Sequence, residues 1–300
     1  MDGILVVDKP LRLTSHDVVA RARRLLHEKR IGHTGTLDPL ATGVLPLCVG
    51  RATRLAEYLS VSGKAYNATV RFGVETLTYD TEGEVVATQP VTLSRAQIEA
   101  ALPGFLGEQM QVPPVYSAIK RDGRPLYAMA RAGEAVTPEA RPVVISRITL
   151  VSWESPDLVI AVECGKGTYI RSLAHDLGQR LGTLAHLAAL RRTRSGPFTL
   201  ANAVTLDELE AAAQAGTAAD LLLAADEAMQ DYRAVIVGQA NERRVRTGLP
   251  ARIPSVVGAE PPAEDEIVRA YTHDGRFIAV LRWAASDGLW QPHKVLAGEG

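Results

Sequence analysis

The chain has 300 residues, 46% hydrophobic and 22% charged, which excludes wholesale disorder and allows about two domains. Its 33 Lys/Arg against 34 Asp/Glu leave a net charge of -1, which on its own argues against a nucleic-acid binder. Two cysteines, Cys48 and Cys164, exclude a disulfide framework and a cysteine-cluster zinc site. No apolar run approaches the ~18 residues of a membrane span. Asp2 and the Asp8-Lys9 pair around a short apolar run do not read as a signal peptide, so a cytoplasmic protein is expected.

The first predicted element is a strand at 4–7, stopped by Asp8-Lys9-Pro10. Thr14 then offers an N-cap with Asp17 in the first turn, and Val18, Val19, Ala22, Leu25 and Leu26 recur at helical spacing. From 32 to 50 the chain is rich in Gly, Thr and Pro, which predicts a loop leading into a strand at 44–49. A strand at 64–74 and a short helix at 94–102, stopped by Pro103-Gly104, follow. Two β-rich runs at 143–151 and 158–164 predict sheet neighbours. Ile170, Leu173, Leu177 and Leu181 form a helical stripe ending at Gly182. Thr205 and Glu208 make a capping box for an acidic, alanine-rich helix. After about residue 230 come short strand candidates at 235–237, 267–271, 277–283 and 295–296, with a long loop expected at 250–266. The body reads as α+β, and the tail as a small β-rich unit.

Charge is unevenly distributed. Residues 116–199 hold twelve Lys/Arg against seven Asp/Glu, and residues 200–230 hold six acids and no Lys/Arg. Such segregation is compatible with a basic face for phosphates, although a mosaic of solvated surface explains it as well.

The most unusual segment is GHTGTLDPLATG at 32–43, where glycines bracket one carboxylate, Asp38, and Pro39 bars it from a helix. A lone carboxylate on such a loop suits a nucleophile or general base. An Asp-Pro turn with structural glycines accounts for it equally simply. Lys166-Gly167-Thr168-Tyr169-Ile170-Arg171 lies at a strand-to-helix junction, and Arg171 is suited to hold a carboxylate ionised. Tyr66 follows Lys64-Ala65 on a predicted strand. Leu190 precedes a basic cluster, Arg191, Arg192 and Arg194, suited to phosphate contacts or to an exposed loop. Metal-binding histidine spacing, nucleotide-binding glycine motifs and a serine-hydrolase elbow are all missing from the sequence.

Together these residues resemble the TruB family of tRNA pseudouridine synthases. GHTGTLDPLATGVLPLCVG at 32–50 is similar to the family's catalytic motif, and Lys9-Pro10, Lys64-Ala65-Tyr66, Tyr79-Asp80, the segment VPPVYSAIK at 112–120, Leu126-Tyr127, Ala130-Arg131, CGKGTYIR at 164–171 and Leu190-Arg191-Arg192 follow in family order. At position 77 the chain departs from the family, with Leu77 where an aspartate is frequent. The resemblance implies a catalytic domain over 1–230 with a mixed, mainly antiparallel sheet flanked by helices. It implies a C-terminal PUA-type RNA-binding domain over 231–300. The implied reaction is isomerisation of uridine 55 in the T loop of tRNA, with base flipping, no metal and no organic cofactor. It implies Asp38 as the essential carboxylate, Arg171 as its partner directly or through Asp80, and Tyr66 stacked on the flipped base. Tyr169 and Leu190 are implied in the pocket wall and His33 against displaced loop nucleotides. Arg191 and Arg192 are expected to contact the substrate backbone. A monomer needing no protein partner is expected. The rivals are an RNA-binding or RNA-folding module, a nucleoside hydrolase using Asp38, and a synthase acting on another RNA.

Overall fold

The computed structural model describes residues 1–296 apart from 118, 122, 133, 135 and 254–260. In chain order the body comprises β1 (Gly3–Lys9), α1 (Ser15–Leu25), β2 (Ile31–His33), β3 (Ala41–Val49), α2 (Ala56–Val61), β4 (Lys64–Phe72), β5 (Val74–Thr76), β6 (Val85–Thr88) and α3 (Arg95–Ala101). It continues through β7 (Gly107–Gln111), β8 (Lys120–Arg121), β9 (Arg124–Pro125), α4 (Leu126–Arg131), β10 (Arg141–Glu154), β11 (Asp157–Cys164), α5 (Ile170–Arg180), β12 (Ala185–Ser195), β13 (Phe198–Thr199) and α6 (Leu206–Ala215). The tail adds β14 (Ala234–Ile236), α7 (Gln239–Arg246), β15 (Ile267–Tyr271), β16 (Phe277–Ala284) and β17 (Leu289–Val295).

The caps expected at Thr14 and Thr205 form as capping boxes, and Ser94 makes a third that the sequence reading did not name. The Thr14, Ser94 and Thr205 hydroxyls accept from the backbone N–H three residues on, opening α1, α3 and α6. The predicted 64–74 strand divides at Gly73 into β4 and β5, and the expected loop before 44 is shorter, because β3 begins at Ala41. Of the expected 250–266 loop, residues 254–260 lie outside the described residues, as does Ala118 of the 112–120 segment.

One nine-stranded sheet organises the body, in the order β1-β3-β12-β4-β11-β10-β7, with β2 also on β3 and β13 on β12. Among the described residues of that sheet only β12 and β3 pair in parallel, and the other strand pairings are antiparallel. Alternation decides what each face buries. On β4, Tyr66, Ala68, Val70 and Phe72 point into the core, and Leu158, Ile160 and Val162 of β11 join them. β1 and β3 are covered on both faces, so they read as continuous apolar runs. Leu5, Val7, Leu45 and Leu47 face the main core beneath α1 and α5, whereas Ile4, Val6, Val44 and Cys48 face a second core. That second core receives Val280 and Leu296 from the tail. The tail is a four-stranded sheet, β14-β15-β16-β17, with its own core around Val237, Val245, Val268 and Trp290.

Gly43 is the last of the three β3 residues paired with β12, opposite Arg192. Its φ is +102°, and a Cβ would lie 2.2 Å from the Arg192 carbonyl oxygen. Gly43→Ala combines left-handed strain with backbone overlap and is expected to cost about 2–4 kcal/mol. A thermal or denaturant melt checks it, and a wild-type midpoint would mean that β3 and β12 separate freely.

Candidate active site

Asp38 sits on the loop between β2 and β3, and the loop is anchored on both sides of it. Leu37 and Leu40 are buried in the main core. The Ser15 hydroxyl of α1 accepts from the Leu37 N–H at 2.8 Å and donates to the Leu37 carbonyl at 3.0 Å. The Ala41 N–H closes a turn onto the Asp38 carbonyl at 3.0 Å. The backbone is thereby fixed while the Asp38 side chain stays 38% exposed.

Arg171 reaches this carboxylate from the first turn of α5. Its Nε lies 3.0 Å from Asp38 Oδ2 and its Nη1 lies 3.4 Å from Asp80 Oδ2, so one guanidinium spans both acids. The Arg171 and Asp80 side chains are only 8% and 3% exposed. Asp80 accepts further from the Thr78 hydroxyl and from the Glu82 N–H at 3.0 Å. Its lone pairs are thus satisfied within the protein, and the open carboxylate is Asp38. The start of α5 is itself pinned by Gln111 at the end of β7. The Gln111 side chain donates to the Tyr169 carbonyl at 3.1 Å and accepts from the Tyr169 N–H at 2.8 Å.

Tyr66 lies on β4, in register with Arg192 of β12 on one side and Val162 of β11 on the other. Burial pushes its phenol above the usual value, and the charge of the Arg192 guanidinium pulls it back down. Tyr169 caps α5, half-buried, with its phenol also pushed up by burial. Leu190 sits half-buried on β12 opposite Ala41 and Ala68. His33, at the end of β2, meets His16 edge-on at 5.3 Å, and its Nδ1 is buried without a partner among the described residues. Burial, followed by His16 and Arg192, lowers the His33 imidazole from its ordinary value.

The expectation that Arg192 contacts a phosphate is corrected. The residue is 1% exposed. Its Nε donates to the Val44 carbonyl at 2.6 Å and its Nη2 to the Gly35 carbonyl at 3.1 Å. Arg191 and Arg194 are partly exposed, but each already holds an acid, Asp8 at 2.7 Å and Glu163 at 2.6 Å respectively. The segment is a central strand, not an exposed loop. Sequence reading also gave no site role to Lys9, which is wholly buried at the end of β1. Its Nζ donates to the Pro10 and Leu13 carbonyls at 2.9 and 2.6 Å. Burial lowers Lys9 to about 8, while Asp38 and Glu82 act to raise it. Burial, with Asp80 and Asp38 nearby, raises Glu82 in turn. Among the described residues no three His, Cys, Asp or Glu side chains gather as a metal site.

The fold has solved counterparts. The crystal structure of a Cbf5-Nop10-Gar1 complex matches at a TM-score of 0.75 and 26% identity, covering 98% of this chain and 85% of that one. The structure of an H/ACA RNP bound to a substrate RNA containing 2'-deoxyuridine superposes at 0.76, with 24% identity over 99% of this chain and 85% of that one. Residues 23–170 match the model of the TruB family pseudouridylate synthase N-terminal domain, and residues 171–230 that of the tRNA pseudouridylate synthase B C-terminal domain. The site thus lies in a pseudouridylate synthase. Proteins named tRNA pseudouridine synthase B from Pseudomonas fluorescens (strain Pf0-1) and Burkholderia mallei (strain NCTC 10247) are 45% and 46% identical, over 100% and 99% of this chain and 97% of each relative. The chain belongs to the TruB family.

Proposed function

We propose that the chain isomerises uridine 55 in the T loop of tRNA to pseudouridine. The observation that carries this reading is the half-exposed Asp38 carboxylate held 3.0 Å from a buried arginine, on the motif that the family model spans. The target base is stacked in the T loop, so it has to be flipped out to meet Asp38. The C1'–N1 bond breaks, the uracil turns while gripped, and C1' rejoins at C5. The same atoms enter and leave, so neither an oxidant nor a co-substrate is consumed. Asp38 is the essential carboxylate, and Arg171, braced by Asp80, aims it.

Tyr66 stacks on the base, a contact worth about 1–3 kcal/mol. Its hydroxyl serves the loss of the C5 proton. Tyr169 and Leu190 wall the pocket and prevent escape of the free base, and His33 supports the displaced loop nucleotides. Residues 231–300 act as a PUA-type RNA-binding domain. Their small sheet and the basic α7, with Arg243 and Arg244, support that role. Phosphate contacts place the substrate without reading its sequence. The enzyme works as a cytoplasmic monomer without a protein partner, and no described helix is long and apolar enough to cross a membrane.

Tyr66→Phe keeps the ring and removes the hydroxyl. We expect near-normal tRNA affinity and a rate loss of about 10²-fold or more, read by single-turnover kinetics. Wild-type turnover in this variant would confine Tyr66 to stacking.

A further inference from the structure

β5 and β6 form a two-stranded hairpin outside the main sheet. Such a hairpin is marginal alone, and β6 is largely exposed, so its place depends on what holds β5 and the turn. Asp80, which braces Arg171, lies in that turn. The residue before it, Tyr79, has a φ of +59°, which a bulky side chain adopts only where its surroundings enforce it. Two backbone bonds contribute. The Tyr79 N–H donates to the Thr76 carbonyl at 3.1 Å, and the Tyr79 carbonyl accepts from the Leu187 N–H of β12 at 2.9 Å. A third hold comes from α5. One turn beyond Arg171, the His175 ring stacks on the Tyr79 ring, with centroids 4.0 Å apart and planes 20° from parallel. Its Nε2 lies 3.2 Å from Glu75 Oε1 on β5, and its Nδ1 lies 3.3 Å from Asp176 Oδ1. A carboxylate only accepts and a neutral imidazole has one N–H, so only the imidazolium donates to both acids. Its charge over the phenol face adds cation–π attraction. α5 therefore grips the 75–80 segment twice, through Arg171 at Thr78 and Asp80 and through His175 at Glu75 and Tyr79.

We propose that protonated His175 is a positioning residue that clamps Glu75 and Tyr79 onto α5 and so holds Asp80 against Arg171, which aims Asp38. The inference rests on reading Asp38 as the essential carboxylate. The groups that face the imidazole are Glu75 from β5, Asp176 beside it on α5 and Tyr79 from the turn. β12, which also packs on α5, brings His186 to the Val74 carbonyl at 3.0 Å, next to Glu75 in the chain. β4 meets α5 through the apolar core. The Asp176 hydrogen bond raises His175 above its ordinary value, burial opposes it, and the charges of Asp176 and Glu75 add to the rise. A histidine whose folded value is raised contributes stability that is present at low pH and lost as pH rises through that value. The neutral ring leaves one carboxylate facing a lone pair, so the clamp loosens as pH rises.

The test uses the full chain, with His175→Phe and His175→Arg beside wild type. Phe keeps the stack and loses both donors, whereas Arg keeps a planar cation that does not lose its proton. The His175 ring proton, identified by its Overhauser contacts to the Tyr79 ring, is titrated by NMR. Denaturant midpoints, single-turnover rates and KM for tRNA are followed against pH. In wild type we expect the imidazole to titrate above its ordinary value, with midpoint and rate falling together as it loses its proton, the rate by about tenfold. His175→Phe should run about tenfold slow at every pH, with KM within a few-fold and without that fall. His175→Arg should recover most of the rate and hold it flat where the wild type declines. If neither variant folds, the wild-type titration decides. An imidazole that titrates at or below its ordinary value overturns the proposal, as does a wild-type rate in His175→Phe or a wild-type decline in His175→Arg. The ring titration and the midpoints are read in free protein, so turnover by Asp38→Asn would sink the site assignment and leave the clamp standing.

Discussion

Asp38→Asn is expected to abolish isomerisation while tRNA still binds. The substitution keeps the shape of the loop, because Leu37 and Leu40 stay anchored in the core and the Ser15 clamp on Leu37 involves only backbone atoms at that residue. It removes the open carboxylate beside Arg171. The rate should fall by at least about 10⁴-fold, which corresponds to about 5 kcal/mol of barrier. Affinity should change by no more than a few-fold, since most contacts in such complexes go to phosphate and sugar. Single-turnover conversion and a binding titration on the same preparation separate the two. Residual turnover near the wild-type rate would remove Asp38 from the chemistry.

Arg171→Met should cost both stability and rate. Loss of the guanidinium leaves Asp80 buried with its Arg171 contact gone, and deprives Asp38 of its 3.0 Å contact. Removing one partner of a buried ion pair costs about 3–5 kcal/mol. Arg171→Lys restores charge but presents a single ammonium where the arginine fork spans two acids, so it should recover part of the stability and little of the rate. Denaturant midpoints and single-turnover rates for the pair check this. Wild-type midpoints in both would mean that Asp80 finds another partner.

Much of this site is legible from local chemistry. The 32–43 segment declares a turn around one acid because Gly and Pro restrict and free the backbone in ways specific to their positions. Arg171 is legible because the stripe of Ile170, Leu173 and Leu177 places it at the start of a helix that packs on the core. What stays hidden is set by long-range pairing. β12 carries three arginines and breaks its alternation at two register shifts, between Leu187 and Ala189 and between Arg192 and Arg194. No period of two survives such bulges, so a central strand reads as a basic loop. The same pairing buries Arg192, which composition alone places at the surface. Lys9 reads as a strand stop for the same reason, yet two backbone carbonyls receive it inside. In the tail, α7 buries little beyond Val245, leaving no apolar stripe to announce it.

The most direct measurement is to map pseudouridine in unmodified tRNA after incubation with the purified chain. The account predicts one new pseudouridine, at position 55 of the T loop, formed without release of free uracil and absent with Asp38→Asn. Binding without any pseudouridine, or uracil released with an abasic site left behind, would contradict it.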